Sequence, residues 1–412
     1  MFTVCIGGTT YLMNIQNLTF FLTLLLATTS CTRQAAFGPT EFTVVAYNVE
    51  NLFDVDGVAI FDDYQQDEAD EPFTYSRRKL LTKLENAAAV LAALDPGGPD
   101  VILIQELEGD FTPDSSVNDM DAFLASHADT TVRAMLTDGW QESYRGFPAV
   151  AWLAKAMEDI GLDGYEVVVA PTKPFDSDIA HVNAIFTRFP VKQAYFHEIN
   201  QARDIIEAEL AIKGHSLWVY NNHWKSGASN PEREPIRVQN AEVLRALVEA
   251  RLRADPQADI IVGGDLNSHY NHSILYSEIQ TGINDVLGSQ GRELWGGAPK
   301  EVDLYNLWYE IPPKTRYSEV WRGRRGSLMH LILSRGLYDA SGISYVDGSF
   351  QVGQFRELNA DAMGRPLEWN FAGEKGGGAS DHFPLIARFS TAGFDPTSKP
   401  ATGLDVLDYE MR

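Results

Sequence analysis

Asp265 and Asn267 stand two residues apart behind Gly263 and Gly264, at the end of the short apolar run Ile260-Ile261-Val262. On an extended chain, residues two apart project to the same side, so a carboxylate and a carboxamide look into one pocket at the mouth of a sheet. An anion that orients a water, beside a neutral donor, suits attack on a phosphate. Four more apolar runs carry polar groups at an end: Asn48, Glu106, His223, and the pair Asp381 and His382. Each has a plain alternative. Asn48 could cap a turn, Glu106 could be a solvated strand-end carboxylate, and His223 a satisfied structural histidine. Asp265 and Asn267 could serve a turn alone. Recurrence shifts the balance, because gathering four or five such ends around one mouth serves no packing need. Acid and amide oxygens suit a hard cation such as Mg²⁺, whereas zinc would call for more His or Cys.

The elements that must position these groups follow from hydrophobic period. Glu41 to Val49 reads as a first strand, and Tyr75 to Leu94 as a helix with Leu80, Leu84, Ala88 and Leu91 on one stripe, stopped by Pro96-Gly97-Gly98-Pro99. Val101 to Ile104 is a second buried strand, and residues 109 to 147 read as an insertion. A helix over Ala149 to Ile160 follows, then strands at Tyr165 to Ala170 and Asn183 to Phe186. Glu207 to Ile212 and Leu217 to Tyr220 form a strand pair. Pro235 to Arg253 has the pattern of a helix whose inner stripe is Val238, Ala241, Leu244 and Val248. Residues 269 to 326 read as irregular, with a basic cluster of Arg322, Arg324 and Arg325. A late strand at Leu328 to Leu333 and a last one opened by Asp381-His382-Phe383-Pro384-Leu385 complete a domain over 41–389. Residues 390–412 form a loose tail.

Composition narrows the classes. The 412 residues are 44% hydrophobic and 11% aromatic, enough for a substantial core, which excludes wholesale disorder. With 33 basic against 57 acidic residues the formal charge is −24, which argues against broad electrostatic adhesion to a polyanion. A site that meets phosphate locally through a metal ion stays compatible with it. Both cysteines, Cys5 and Cys31, fall in the first 31 residues, so the domain holds neither a disulfide framework nor a cysteine zinc site. The apolar run Leu18 to Ala27, followed by Thr28-Thr29-Ser30-Cys31, resembles a bacterial lipoprotein signal over residues 1–31. The expectation is an exported protein, periplasmic, outer-membrane-anchored or extracellular, with a lipid anchor at Cys31 or a leader cleaved without lipidation.

The stretches YNVENLFD (47–54), LIQELE (103–108), NAIFTRFP (183–190), NNHWKS (221–226), GGDLNS (263–268) and SDHFPL (380–385) together resemble the endonuclease/exonuclease/phosphatase superfamily, from about Glu41 to Phe389. The resemblance implies an α+β fold: a four-layer α/β/β/α sandwich of two packed mixed β-sheets with outer helices. It also implies Mg²⁺- or Mn²⁺-dependent phosphoester hydrolysis. Carried over residue by residue, Glu106 would hold the metal with Asn48 assisting and Asp381 beside it. Asp265 would orient or deprotonate the attacking water, and Asn267 would hydrogen-bond the phosphoryl oxygens. His382 would act as base or charge-stabilising donor, and His223 would contact the phosphate or protonate the leaving group. Asn183, Arg188 and Lys225 would line the substrate side.

One position departs from the pattern. Where the family has an acidic residue that orients the last histidine, the chain reads Ser327-Leu328-Met329-His330-Leu331. Met329 cannot hold the tautomer of His382, so either another carboxylate does so or activity is reduced. His330 reads equally as a core histidine. The leading function is a monomeric nuclease, endo- or exonucleolytic, acting on a nucleic-acid phosphodiester. The alternatives are a sphingomyelinase-like phosphodiesterase on a lipid or small phosphate, and a binding module that has kept the fold without turnover.

Overall fold

The computed structural model describes residues 40–55, 75–109, 117–171, 181–291 and 304–393, together with the backbone of strands Phe2–Ile6 and Thr9–Met13. Those two strands pair antiparallel and form a unit of their own. The apolar run Leu18 to Ala27, Cys31 and the tail beyond residue 393 lie outside the described residues. Among the described residues no helix is long and apolar enough to cross a membrane.

Glu41–Leu52 (β1) and Val101–Glu108 (β2) pair in parallel, Val44 opposite Val101 and Tyr47 opposite Ile104. Both are buried on two faces, which is why Val101 to Ile104 reads as an unbroken apolar run and the first strand turns apolar after its opening alternation. Parallel neighbours need a crossover, and the helix Arg77–Leu94 (α1) supplies it, opened by Ser76, whose side chain accepts a hydrogen bond from the Lys79 N–H. After Ala149–Asp159 (α2), Glu166–Val169 (β3) pairs with His181–Thr187 (β4), and β4 runs antiparallel to β2.

The second sheet is built from Val191–His197 (β5), Arg203–Ile212 (β6), His215–His223 (β7) and, after the helix Glu234–Ala254 (α3), Ile260–Asp265 (β8). β8 is parallel to β7, with Asp265 opposite His223. A small hairpin, Glu319–Trp321 (β9) with Arg324–Gly326 (β10), precedes Met329–Leu333 (β11), which is antiparallel to β8 with Met329 opposite Asp265. The last strand, Leu385–Ser390 (β12), returns to the first sheet and pairs antiparallel with β1. Both sheets are therefore mixed. The first runs in the order Ser344–Tyr345, β12, β1, β2, β4, β3, with Gln351–Val352 beside β12. The second runs Ser289–Gln290, Leu304–Asn306, β11, β8, β7, β6, β5.

Alternation along the strands assigns the layers. Val45, Tyr47, Ile102 and Ile104 face outward into a cluster with Leu80, Leu84 and Leu91 of α1 and Trp152 of α2. Val44, Ala46, Val101 and Leu103 face inward and meet Ile206, Ala208, Val219, Ile261 and Leu331 of the other sheet. Trp218, Tyr220, Ile260 and Val262 turn outward beneath Ala241, Leu244 and Val248 of α3. The result is a four-layer α/β/β/α sandwich, as the family resemblance implies. Each fully buried aliphatic side chain contributes roughly 1.5–3 kcal/mol, so the layer between the sheets and the two sheet–helix layers all hold the sandwich together.

Two stretches differ from the sequence reading. Residues 109 to 147 include the short helices Met120–Ser126 and Val132–Leu136, whose buried faces join the α1 and α2 cluster. The stretch read as irregular over 269 to 326 contains the β9–β10 hairpin.

Candidate active site

Backbone irregularity aims the groups at the mouth. The β1–β2 ladder slips between Asn48 and Leu52, and the β2–β4 ladder slips between Ile104 and Leu107. Such bulges bend a strand and re-aim the side chains on it. Glu50, Asn51 and Glu106 accordingly sit at φ of 50°, 54° and 60°, and Asn267 at 47°. A non-glycine residue in that region costs of order 1 kcal/mol or more, and half of the chain's described cases fall here.

The β2–β4 slip leaves carbonyls of both strands without ladder partners. Asn221, from the opposite sheet, donates to the carbonyls of Ile104 and Ala184 at 3.0 and 2.8 Å, and Gln105 donates to its Oδ1 at 2.6 Å. This buried amide locks the sheets together directly beneath the site. The two glycines of β8 serve the same closeness. A Cβ on Gly263 would stand 2.5 Å from Leu103 of the first sheet, and one on Gly264, at φ +112°, would stand 2.1 Å from the Asn222 carbonyl oxygen.

Asn48, Glu106, His223, Asp265 and His382 converge across that junction. The Asn48 amide donates to Glu106 Oε1 at 2.9 Å and to Asp265 Oδ2 at 3.1 Å, while its Oδ1 accepts from the Glu50 N–H. His223 Nε2 lies 3.8 Å from Glu106 Oε1 and 3.9 Å from Asp265 Oδ2. Ligand atoms of Glu106, His223 and Asp265 all fall within 4.8 Å of one another, close enough to share one cation. The Asn267 N–H donates to Asp265 Oδ1 at 2.8 Å, and its amide donates to the Trp224 carbonyl at 3.2 Å.

His382 faces carboxylates on several sides. Its Nδ1 donates to Asp381 Oδ1 at 2.7 Å, and its Nε2 lies 3.4 Å from Asp265 Oδ2. Asp381 thus engages the imidazole and lies outside the Glu106, His223 and Asp265 group. Where Met329 breaks the family pattern, the structure supplies another acid. Glu319 of β9 bridges to His382 across an isolated antiparallel pair, which puts the two side chains on one side. Its carboxylate is buried, and it accepts from the Ser318 hydroxyl at 2.6 Å and the Leu328 N–H at 3.2 Å. Met329 itself is buried between the sheets, and His330 is a core histidine donating to the Ser268 carbonyl and accepting from Asn306.

Charge separates the two histidines. Burial and the nearby Arg203 push His223 well below the usual histidine value, so its ring is neutral. Burial also opposes charge on His382, yet Asp381, Asp265 and Glu319 together hold it well above that value, so it is an imidazolium. Burial would raise Glu106, but the nearby Arg203 guanidinium and the Asn48 amide hold it below the usual carboxylate range. Asp265 is raised by burial, and Glu319 is pushed up to about 7 for the same reason.

Of the substrate-side residues, Asn183 is buried opposite the β2 slip, donating to the Asp204 carbonyl while its Oδ1 has no partner. Lys225 is half-buried two residues past His223, its backbone held by Asn240 and Arg237. Arg188 does not line the site. It lies at the opposite end of β4, pairing with the carbonyls of Gly98 and Asp163 and stacked on Tyr165. Five residues of extended chain separate it from Asn183, about 16 Å at the strand rise.

Sequence reasoning missed Glu50, Arg203 and His181 beside the site, as well as Glu319. Glu50 accepts the N–H groups of Trp369 and Asp381 at 2.6 and 2.8 Å, and burial with Asp381 nearby raises it to about 8. Arg203 donates to His181 Nδ1 at 2.9 Å. The NVEN spacing placed Glu50 on the same strand side as Asn48 and could have flagged it. Arg203 and His181 precede their strands' apolar runs and carried no signal.

Two face-to-face mixed sheets whose strand ends gather carboxylates, amides and histidines define a phosphoesterase type of fold and site. A model of the endonuclease/exonuclease/phosphatase family matches residues 182–390, half of the chain, and the chain belongs to that family, whose members are metal-dependent hydrolases. Asn48 and Glu106 lie before the matched stretch and join the site through the fold. No curated protein matches in sequence. Among solved structures, truncated TDP2 of Caenorhabditis elegans is 14% identical with a TM-score of 0.45, covering 85% of this chain and 97% of that one. A family member from Bacteroides thetaiotaomicron is 14% identical with a TM-score of 0.46, covering 88% and 98%. The human Nocturnin catalytic domain with bound sulfate is 13% identical with a TM-score of 0.43, covering 85% and 94%.

Proposed function

We propose that the protein is an exported, divalent-metal-dependent phosphodiesterase that cleaves nucleic acid. The observation that carries this reading is the pairing of the Glu106, His223 and Asp265 group with His382, whose Nδ1 is held by Asp381 and whose Nε2 is turned toward Asp265. The donor set fits a hard cation: two carboxylates and one neutral imidazole, fixed by an amide that donates to both acids. Glu106 would hold Mg²⁺ or Mn²⁺ beside Asp265 and His223, and the bound ion would polarise the phosphoryl group and offset its charge.

The chain's own groups supply the rest. Asp265, fixed through Oδ1 by the Asn267 N–H, presents Oδ2 to orient and deprotonate the attacking water. The Asn267 amide and the His382 imidazolium donate toward the non-bridging oxygens, where negative charge grows. His223 is neutral and contacts the phosphate on the leaving-group side. Asp381 and Glu319 act as positioning residues that keep His382 charged and oriented. Glu319 counts against the reading of a module without turnover, because the acid that Met329 lacks is present on another strand.

The test is hydrolysis by the full chain, with Mg²⁺, of DNA, RNA, sphingomyelin and bis(p-nitrophenyl) phosphate. Cleavage of DNA or RNA that is lost in EDTA and returns with Mg²⁺ or Mn²⁺ is expected. Turnover of sphingomyelin alone would replace nucleic acid by lipid, and no turnover of any diester would refute the enzymatic reading.

A further inference from the structure

The β9–β10 hairpin departs from its surroundings in three ways. Its turn is the two-residue loop Arg322-Gly323, with both residues at positive φ, 48° and 77°. That turn type favours Asn-Gly, so an arginine there is held against its backbone preference. Trp321 beside it is 64% exposed. Third, the hairpin places Arg322, Arg324 and Arg325 within four positions of a chain with 57 acidic and 33 basic residues, and among the described residues none of the three has a carboxylate partner. Elsewhere, exposed arginines such as Arg133 and Arg365 are paired with acids.

The two faces of the hairpin differ. Val320 and Arg325 oppose each other, and Val320 packs toward Tyr317 and Phe383 while Arg325 lies over the Tyr317 ring at 4.2 Å. Trp321 and Arg324 form the next pair and project from the other side, with Arg322 5.4 Å over the indole. The base of the hairpin is fixed to the site: the Phe383 N–H donates to the Ser318 carbonyl at 2.6 Å, and Glu319 bridges to His382. Three residues of strand carry the tip about 10 Å from His382.

We propose that this hairpin is a docking arm for single-stranded nucleic acid, with Trp321 stacking on a base and Arg322, Arg324 and Arg325 holding successive phosphates next to the scissile one. The inference builds on the phosphodiesterase reading of the site and adds the class of substrate. A stacking platform flanked by guanidinium groups is the combination that holds single strands irrespective of sequence. A bilayer would meet one indole without a second exposed apolar group on the hairpin.

The experiment measures binding of a fluorescein-labelled dT12 to the full chain by anisotropy, in EDTA, between 50 and 200 mM NaCl. Substituting Arg322→Asn, Arg324→Ser and Arg325→Ser together should weaken binding at least tenfold and flatten the slope of log K against log salt by about 2, three phosphate contacts at ~0.7 each. Trp321→Ser should weaken binding about tenfold with the slope retained. Arg322→Asn alone should raise Tm, since asparagine accepts the left-handed turn, while lowering affinity, and a stabilised variant that binds less cannot be explained by unfolding. An unchanged salt slope in the triple variant overturns the proposal. So does absence of dT12 binding by the wild type, or loss of phosphatidylserine vesicle binding with dT12 binding intact. Because binding is read without turnover, an inactive protein that still binds dT12 through the hairpin refutes the enzymatic reading and leaves the arm standing.

Discussion

Restoring the family's acid at position 329 should damage the proposed activity. Met329 is fully buried between the sheets and pairs directly with Asp265 across β8 and β11. Cβ atoms of such a pair are about 5 Å apart, and two negative charges at ~5 Å in an effective dielectric near 20 repel by roughly 3 kcal/mol. That repulsion raises Asp265 further, on top of the effect of burial, and withdraws the carboxylate that orients the water. Removing the methionine from the core adds roughly 2 kcal/mol of lost packing. Met329→Asp alone should therefore lower the rate on a phosphodiester up to about a hundredfold at neutral pH and depress Tm. Glu319→Gln should also slow turnover, by roughly ten- to a hundredfold, because His382 loses one of the acids that hold it. In the double variant the repulsion on Asp265 persists, so its rate should not exceed that of Glu319→Gln alone. The assays are initial rates with Mg²⁺ across pH and thermal melts of all four proteins, with His382→Ala as the inactive control. If Met329→Asp by itself is faster than wild type, Glu319 does not serve His382 and the reasoning fails.

Glu106→Gln should lose at least a hundredfold in rate and regain part of it in excess Mg²⁺; an unaltered Mg²⁺ titration would remove Glu106 from the cation group. Asp259, buried and far from the site at the start of β8, accepts the Ile343 N–H at 2.8 Å, and burial raises its carboxyl from 3.8 to about 7. The folded protein keeps a proton that the unfolded chain releases, so this contribution is complete below about pH 3.8 and lost as pH rises through about 7. Asp259→Asn should then stabilise the protein by up to about 4 kcal/mol at pH 8 and by little at pH 4, and denaturant melts showing a pH-independent difference would contradict it. Gly264→Ala should cost about 3 kcal/mol or more, because its Cβ meets the Asn222 carbonyl at 2.1 Å; a melt within a degree of wild type would show that β7 yields freely. Cys31→Ser should release the protein from the membrane fraction of a bacterial host, and a soluble distribution before and after the change would exclude lipidation.

The central strands were legible because burial on both faces writes them as unbroken apolar runs, as in Ile260-Ile261-Val262 and Val101-Ile102-Leu103-Ile104. Their polar ends were legible for the same reason, since a buried run that stops at Asp265 or Glu106 marks a mouth. β5 was not, because Val191–His197 is a half-exposed edge whose lysine, glutamine and tyrosine carry no clear period. Arg188 was placed wrongly because adjacency in the NAIFTRFP motif hides the length of an extended strand. Glu319 escaped because it reaches His382 through a bridge between elements 63 positions apart, which no local pattern records. Asn221 escaped because its task is to satisfy carbonyls freed by a slip in the other sheet, and neither slip is visible before the sheets are docked.

The return of β12 to pair with β1 has a consequence for when the protein becomes active. Glu41 meets Ser390 and Ala46 meets Leu385, so the first sheet closes only when its earliest and latest strands are both available. His382 and its neighbour Ser380 are carried on that same final segment, with the Ser380 hydroxyl donating to the Asn48 carbonyl at 2.7 Å. A chain still emerging from a ribosome holds Glu106 and Asp265 but lacks His382. Such distant pairing is also slow to form. The site is therefore complete only after residue 390 has been made and β12 has paired with β1, so whatever chemistry the site supports waits for the end of synthesis.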